Sequence, residues 1–227
     1  MRRGLFITTA MGLFILATLN LTVTSCSDDD DKKTETPTMG DPPLCPDDNH
    51  PHAIDLGLGV KFACCNVGAN NPWDIGYYFA WGETGVKRHY DLLNYKYYDT
   101  SKKEYIDIGK VISGTDYDVA HVRWKGKWRM PTINDISSFH YLEMTKTKLN
   151  NVPGMKITGT NGNAIFIPCA GYYKDNEIID NDRYFYFWTG ESRGNTKITS
   201  AVEFNSIDKT CNYMDKAWGL TVRPVMN

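Results

Sequence analysis

The residues of this 227-residue chain that could do chemistry are a few carboxylates, histidines and aromatic side chains. Glu83 stands two positions after Trp81, and a carboxylate next to an aromatic ring suits the recognition of a sugar. The alternative interpretation of this Trp-Gly-Glu segment is a structural turn whose ring packs in the core, which is the commoner role of such a ring. A glycosidase would need a second carboxylate, such as Asp135 or Glu143, at a separation that the sequence does not give.

The five histidines lie at none of the spacings of a metalloprotease, a zinc finger or a catalytic triad. His140 falls in a predicted helix, where an unpaired histidine is more often a surface residue than a catalyst. We therefore expect no catalytic residue, no cofactor and no metal ion. The histidines are His50, His52, His89, His121 and His140.

A tyrosine-rich stretch, residues 84–127, is polar and shows no sustained period, which indicates a long loop region. Tyrosine is amphipathic, so its six tyrosines could cover the core or face a ligand. Together with the tryptophans they supply the ligand-binding candidates. These candidates are Trp81, Glu83, Tyr97, Tyr98 and Trp188.

The clearest helix signal among the elements that must position these residues begins after Trp128-Arg129-Met130-Pro131-Thr132. Thr132 is a good N-cap, and Asp135 can complete an approximate capping box. The pattern predicts one main helix with an apolar stripe that packs on a sheet, and no second helix of comparable quality. The stripe consists of Ile133, Ile136, Phe139 and Leu142.

Strand patterns occupy most of the remaining chain. Residues 52–68 predict two short strands around a glycine turn. Pro168 places the strand at 164–172 on a sheet edge or at a bulge, and we expect the C-terminal strand to pair near the first one. The further strand predictions are 76–83, 164–172, 184–189, 200–204 and 218–225.

The N-terminus has the pattern of a secretory signal peptide, residues 1–25, because Arg2 and Arg3 precede an uncharged apolar run. The run ends at Val23-Thr24-Ser25-Cys26, which resembles the lipobox of bacterial lipoproteins and implies acylation of Cys26. The alternative is a plain transmembrane anchor, but polar residues dilute the run. We expect this lipid to anchor the protein in a membrane.

An acidic run, Ser27 to Lys33, follows directly and resembles the export signal of Bacteroidota lipoproteins. That resemblance implies display on the outer face of the outer membrane, whereas the alternative is an ordinary polar linker. Residues 26–50 contain too little apolar material to fold alone and predict a disordered tether before a domain at 51–227. The formal charge of −2, about −4 without Arg2 and Arg3, gives no argument for nucleic acid.

The order of seven segments resembles the Fibrobacter succinogenes major paralogous domain family over nearly all of residues 52–227. The segments are Ile54-Asp55-Leu56-Gly57-Leu58, Asn66-Val67-Gly68-Ala69, Gly76-Tyr77-Tyr78-Phe79-Ala80-Trp81-Gly82-Glu83-Thr84, Trp128-Arg129-Met130-Pro131-Thr132, Asn161-Gly162-Asn163-Ala164-Ile165-Phe166-Ile167-Pro168, Tyr186-Phe187-Trp188-Thr189 and Val222-Arg223-Pro224-Val225.

This resemblance implies an α+β, C-type-lectin-like domain with a small twisted mixed or antiparallel sheet, one main helix, paired terminal strands and long loops. The calcium loop and strand of true C-type lectins do not occur, and the single carboxylate in Trp188-Thr189-Gly190-Glu191 is a poor basis for a calcium site. The oxidase activity of related folds needs a reactive cysteine pair, for which the C-terminal part offers only Cys169 and Cys211.

Five thiols remain after Cys26, so at least one is free or bonded to another chain. A Cys169–Cys211 bridge would suit an exported protein. Cys64 and Cys65 are neighbours on a predicted strand, so we expect one to pack inward and the other to be able to pair elsewhere, for example with Cys45.

These observations predict a lipid-anchored, surface-exposed binding or adhesion module without catalysis, whose ligand is an extracellular glycan or a protein. Two alternatives stay open. One is a surface hydrolase, active on glycans or peptides, that uses Glu83 with a further residue. The other is a structural subunit of a larger surface assembly.

Overall fold

The computed structural model describes residues 52–192 and 200–227. The predicted signal peptide 1–25, the predicted acylation site Cys26, the predicted tether 26–50 and Cys45 lie outside this range. All of the described residues belong to one compact unit. A search of them for a helix long and apolar enough to cross a membrane finds none.

The predicted helix after Thr132 exists, but it is much shorter than expected. Helix α2 spans only Ile133–Ile136, and a 3-10 turn, Phe139–Tyr141, follows it. The capping box is confirmed: Thr132 Oγ1 accepts from the Asp135 amide at 3.3 Å, and Asp135 Oδ2 accepts from the Thr132 amide at 2.7 Å. The apolar stripe is buried by two short turns, so it needs no continuous helix.

A second helix, α1, spans Val119–Trp124 within the stretch that the sequence indicated as loop. The buried Asp118 caps it by accepting from the amides of Ala120 and His121 at 2.8 and 3.1 Å. The second oxygen of Asp118 accepts from the Met130 amide at 2.7 Å. Asp118 therefore joins α1 to the segment that leads into α2. Both helices are short, and the sequence indicated only the second of them.

Most of the regular structure consists of small antiparallel sheets, which makes this a mixed small-domain fold. Their strands are β1 Ala53–Asp55, β2 Lys61–Ala63, β3 Tyr98–Asp99, β4 Glu104–Tyr105, β5 Glu143–Leu149, β6 Val152–Thr158, β7 Ala164–Pro168, β8 Tyr172–Lys174, β9 Glu177–Ile179, β10 Tyr186–Ser192, β11 Ser200–Asn205, β12 Cys211–Asp215 and β13 Val225–Met226.

The two ends of the described chain pair as predicted. β13 is antiparallel to β2, which also pairs with β1, so the sheet order is β1-β2-β13. Val225 lies opposite Phe62, and both side chains are fully buried. Pairing with β2 thus keeps the terminal strand from fraying.

The β5-β6-β7 sheet is only partly predicted by the sequence. β7 is an edge strand that ends at Pro168, which confirms the edge position expected from the proline. β5 and β6 are new, and their turn residues Asn150 and Asn151 have φ values of 47° and 66°. Two consecutive residues with positive φ form the type of hairpin turn whose backbone twist matches the twist of the paired strands.

The β10-β11-β12 sheet contains the predicted strands at 184–189 and 200–204, with β12 in addition. Two other predicted strands are wrong in extent. The segment 76–83 contributes one bridge, Phe79 to Leu220, and the segment 218–225 contributes isolated bridges before β13 begins.

The core has two large aromatic and aliphatic clusters and a smaller tyrosine cluster. The first includes Phe62, Phe139 and Phe204, between the β1-β2-β13, β5-β6-β7 and β10-β11-β12 sheets. The second contains Trp81 and Trp188. The tyrosine cluster packs residues of the 84–127 stretch, hereafter the excursion, against Ala80 and Ala217.

Candidate functional site

Both tryptophans among the predicted ligand-binding residues lie in the core. Trp81 and Trp188 are each 0% exposed. The Trp81 indole donates to the Thr189 carbonyl at 3.0 Å, and the Trp188 indole donates to the Phe79 carbonyl at 2.8 Å. Because both rings are enclosed and both N–H groups are satisfied, neither ring is a platform for a ligand, and the prediction that they bind one is corrected.

Glu83 is a structural carboxylate in this fold. Its side chain is 7% exposed, and Oε1 accepts from Lys87 Nζ at 2.9 Å and from the Lys96 amide at 2.8 Å. Lys87 Nζ also donates to the Asn94 carbonyl at 3.1 Å. These contacts tie the first half of the excursion to the turn after Trp81, which favours the structural interpretation of the Trp-Gly-Glu segment.

Three tyrosines of the excursion form the interior of the tyrosine cluster. Tyr90, Tyr95 and Tyr105 are 1%, 3% and 5% exposed. The Tyr95 hydroxyl donates to the Trp81 carbonyl at 2.8 Å, and burial raises the pKa of Tyr90 to about 12. These phenols are neutral hydrogen-bond donors at physiological pH, and they hold the excursion against the rest of the fold.

The two candidate tyrosines, Tyr97 and Tyr98, are half-buried on the outer side of this interior. The Tyr97 ring lies 5.8 Å from that of Tyr95 and 5.5 Å from that of Tyr117, in edge contact with both. Tyr98 makes an edge contact with Tyr105 at 5.4 Å. Buried neighbours therefore fix these rings while part of each stays accessible.

The excursion concentrates exposed apolar surface. Of the eleven large hydrophobic side chains that are exposed in the described part of the chain, six belong to it, although it is a minor part of that chain. Exposed apolar side chains that lie together mark interaction surfaces, so this enrichment makes the excursion the candidate surface. The six are Val86, Leu93, Ile106, Val111, Tyr117 and Val122.

Asp135 and Glu143, the candidates for a second glycosidase carboxylate, lie in different surroundings. Asp135 is bound by Arg129 through Nη1 at 2.5 Å and Nη2 at 3.2 Å, and Glu143 is exposed on β5. His140 is exposed, and its ring contacts that of Tyr141 at a tilt of 43°. Within residues 52–192 and 200–227, no group of three or more His, Cys, Asp or Glu side chains could hold a metal ion.

The cysteines correct one further expectation. Cys169, after β7, and Cys211, at the start of β12, are both free thiols and form no bridge with each other. Burial raises the pKa of both thiols, that of Cys211 to about 11, which makes them poor nucleophiles. Cys64 and Cys65 are both buried directly after the end of β2, and the expected pairing of one of them with Cys45 lies outside the described residues.

Sequence reasoning missed a cavity of about 550 Å³ between the edge strands β1 and β7. A second cavity of about 450 Å³ adjoins it. Pro72 and Leu149 line the first cavity, while Trp73, which follows Pro72, and Val152, which pairs with Leu149, line the second. Near Pro72, the residues Asn70-Asn71-Pro72 indicate only a break in the chain. The cavity depends on contacts between distant strands, which no local pattern reports.

Comparisons with protein-family models, with curated proteins and with solved structures gave no match to this chain. The site therefore has to be interpreted from its own geometry.

Proposed function

We propose that this chain is a lipid-anchored, surface-displayed binding module with a C-type-lectin-like fold and no catalytic role, and that its ligand is an extracellular glycan or protein. The paired terminal strands and the long excursion support the fold. The pattern ending at Cys26 supports an anchor in the outer membrane, and the acidic run after it supports display on the cell exterior.

The observation that carries the binding role is the concentration of exposed apolar side chains on an excursion with a fixed interior. Six exposed hydrophobic residues and the half-buried Tyr97 and Tyr98 lie on it, while Glu83, Tyr90 and Tyr95 anchor it from within. A surface whose rings are already held by buried neighbours loses little side-chain entropy on binding. Tyrosines also offer both an apolar face and a polar tip.

The contacts of Glu83 weigh against the hydrolase alternative. A general acid or base must reach the substrate, but Glu83 is buried and its Oε1 already accepts two hydrogen bonds. We therefore assign it to positioning the excursion.

The test is a screen of the purified full chain on arrays of host and dietary glycans, with and without calcium, together with a pull-down from the cell surface. We expect a specific ligand whose affinity falls at least about tenfold in Tyr97→Ala and Tyr117→Ala. Tyr141→Ala is the matched control, because Tyr141 is 82% exposed outside the excursion. Equal losses in all three variants, or turnover of a bound glycan or peptide, would refute the proposal. A stable complex in native membranes with no effect of the excursion variants would favour the structural-subunit alternative.

A further inference from the structure

The cavity between β1 and β7 is a wedge that is closed at one end. There the Thr160 amide donates to the Leu56 carbonyl at 3.2 Å, and a Cβ on Gly159 would lie 2.4 Å from the Leu56 oxygen. The side-chain amide of Asn163 donates to the Asp55 carbonyl at 2.9 Å. The ends of the two edges are therefore fixed together, and the cavity opens beyond them.

One wall of the wedge presents free strand hydrogen-bonding groups of β1. Ala53 lies opposite Ala63 in the register, but the Ala63 amide donates to Pro224 on the other side of β2. Ala53 and Ala63 thus form a non-hydrogen-bonded pair, so the N–H and C=O of Ala53 point away from β2. Ala53 lines the cavity.

The opposite wall presents such free groups from β7 at Ala164, one pair beyond the Phe166 carbonyl that Arg223 occupies. The Phe166 carbonyl accepts from Arg223 Nη2 at 3.0 Å and so points away from β6. Ala164, two residues earlier, has the same orientation by strand alternation. Ala164 also lines the cavity, which therefore lies between two unpaired strand edges. Strand edges of this kind accept an added extended chain.

The lining of the wedge is mainly apolar. Ile54, Leu149, Ile165 and Phe166 contribute to it, and Leu149 is 38% exposed at the end of β5. An aliphatic side chain would be removed from water here, which is favourable by the hydrophobic effect.

The adjoining cavity has a different character. Trp73, Asp74 and Asp182 line it, and its lining contains no lysine or arginine. The three hydrogen bonds that Asp74 accepts all use Oδ2, and Asp182 is exposed. Two carboxylates beside an indole ring attract a cationic side chain through charge and cation–π contact.

We propose that these two adjoining cavities form a cleft that binds an extended peptide segment by strand addition, with an aliphatic side chain in the apolar part and a lysine or arginine in the acidic part. Side chains two positions apart on a strand lie on the same face, about 6.6 Å apart, so both can enter the cleft together. This inference is independent of the ligand proposed for the excursion, because the cleft and the excursion share no residue.

The test titrates three acetylated and amidated hexapeptides into the purified full chain, with tryptophan fluorescence and calorimetry as readouts. The first alternates Thr with Val and Lys, the second has Glu in place of Lys, and the third is the first with alternate amides N-methylated. We expect the first to bind, and the other two to bind at least about tenfold more weakly, since one lacks the charge and one the backbone donors.

Two variants locate the binding. Asp182→Asn is expected to lower the affinity for the Lys peptide about fivefold, because it removes one carboxylate of the acidic part. The fold should stay unchanged, because Asp182 is exposed. Glu177→Gln, an exposed carboxylate on β9, is the control and should leave the affinity unchanged. The proposal fails if the three peptides bind equally, if none binds, or if Asp182→Asn has no effect. It also fails if a synthetic peptide of residues 37–51 is the tighter ligand, since the occupant is then the chain's own N-terminal segment.

Discussion

The guanidinium of Arg223 donates through Nε to Oδ1 of Asn66 at 2.9 Å, across 157 positions of the chain. Its two other nitrogens donate to the carbonyls of Ala63 and Phe166, at 2.9 and 3.0 Å. Arg223 is 0% exposed, and burial lowers its pKa to about 10, so the group is still charged at neutral pH. One buried cation thereby joins β2, β7 and the segment before β13.

Replacing Arg223 should be strongly destabilising. Arg223→Met removes three hydrogen bonds and leaves the buried oxygens of Asn66, Ala63 and Phe166 without this donor, for an expected loss of about 3 kcal/mol in the free energy of unfolding. Urea denaturation monitored by tryptophan fluorescence measures it. Arg183→Met is the control, because the Arg183 side chain is 69% exposed, and it should change the value by less than about 0.5 kcal/mol. If both substitutions changed the free energy of unfolding by the same amount, the hydrogen bonds of the buried Arg223 would not contribute to stability.

The sequence predicts the parts of this fold that depend on short-range chemistry. The Thr132 cap needs only Asp135 three residues later, and the pairing of β1 with β2 needs only a glycine turn. The helix length could not be predicted, because the spacing of Ile136, Phe139 and Leu142 fits two short turns as well as one long helix. β5 was missed because six of its seven residues are exposed, so it carries no buried stripe.

The candidate site depends on longer-range contacts, which is why it was predicted less well. A tryptophan near a carboxylate gives the same sequence pattern whether its ring binds a ligand or packs in the core. Trp81 and Trp188 are core residues because their N–H groups find carbonyls 108 and 109 positions away. The sequence indicates the six tyrosines of the excursion as a group, but the division into buried Tyr90, Tyr95 and Tyr105 and accessible neighbours depends on the packing.

A second prediction concerns Asp135. Burial raises its pKa, but hydrogen bonds from Arg129 and Thr132 outweigh that, so its pKa lies below the ordinary value. A carboxylate of this kind stabilises the fold above its unfolded pKa, near 4, and the contribution is lost as the pH falls through the lower folded pKa. Asp135→Asn should therefore lower the free energy of unfolding by about 1.5 kcal/mol at pH 7.

The difference in the free energy of unfolding between Asp135→Asn and the unmodified chain should become smaller as the pH falls below about 4. Urea denaturation at pH 7 and pH 2.5 measures it, with Asn134→Ala, an exposed neighbour on α2, as the control. If the difference in the free energy of unfolding were the same at both pH values, the ionised carboxylate would not be its cause.

A third prediction separates a structural role of Glu83 from a catalytic one. Glu83→Gln removes the ion pair with Lys87 and weakens the bond from the Lys96 amide, so we expect a loss of about 1 kcal/mol in stability. Proteolysis within residues 84–127 should also become faster, because the excursion is less firmly anchored. Glu143→Gln, at an exposed carboxylate, should change neither quantity. A hydrolase that depended on Glu83 would instead lose turnover while its stability stayed the same.

Glu203 provides the fourth prediction, because it is a carboxyl enclosed without a full set of partners. It is 2% exposed on β11, between Trp188 of β10 and Asn212 of β12 in the register. Asn205 donates to Oε1 at 2.9 Å, whereas Oε2 has no hydrogen-bond partner among the described residues. Burial raises the pKa of Glu203 to about 7, so the fold favours its neutral form.

The sign of the resulting pH dependence follows from linkage. The neutral carboxyl stabilises the fold fully below the unfolded pKa, near 4.5, and this contribution is lost as the pH rises to about 7, for a total of about 3 kcal/mol. In Glu203→Gln this loss should disappear, so the variant gains stability relative to the unmodified chain between pH 4.5 and 7.5. Denaturant unfolding over that range measures it, with Glu177→Gln as the exposed control. If the free energy of unfolding changed with pH in the same way in all three chains, Glu203 would ionise in the fold as readily as it does in water.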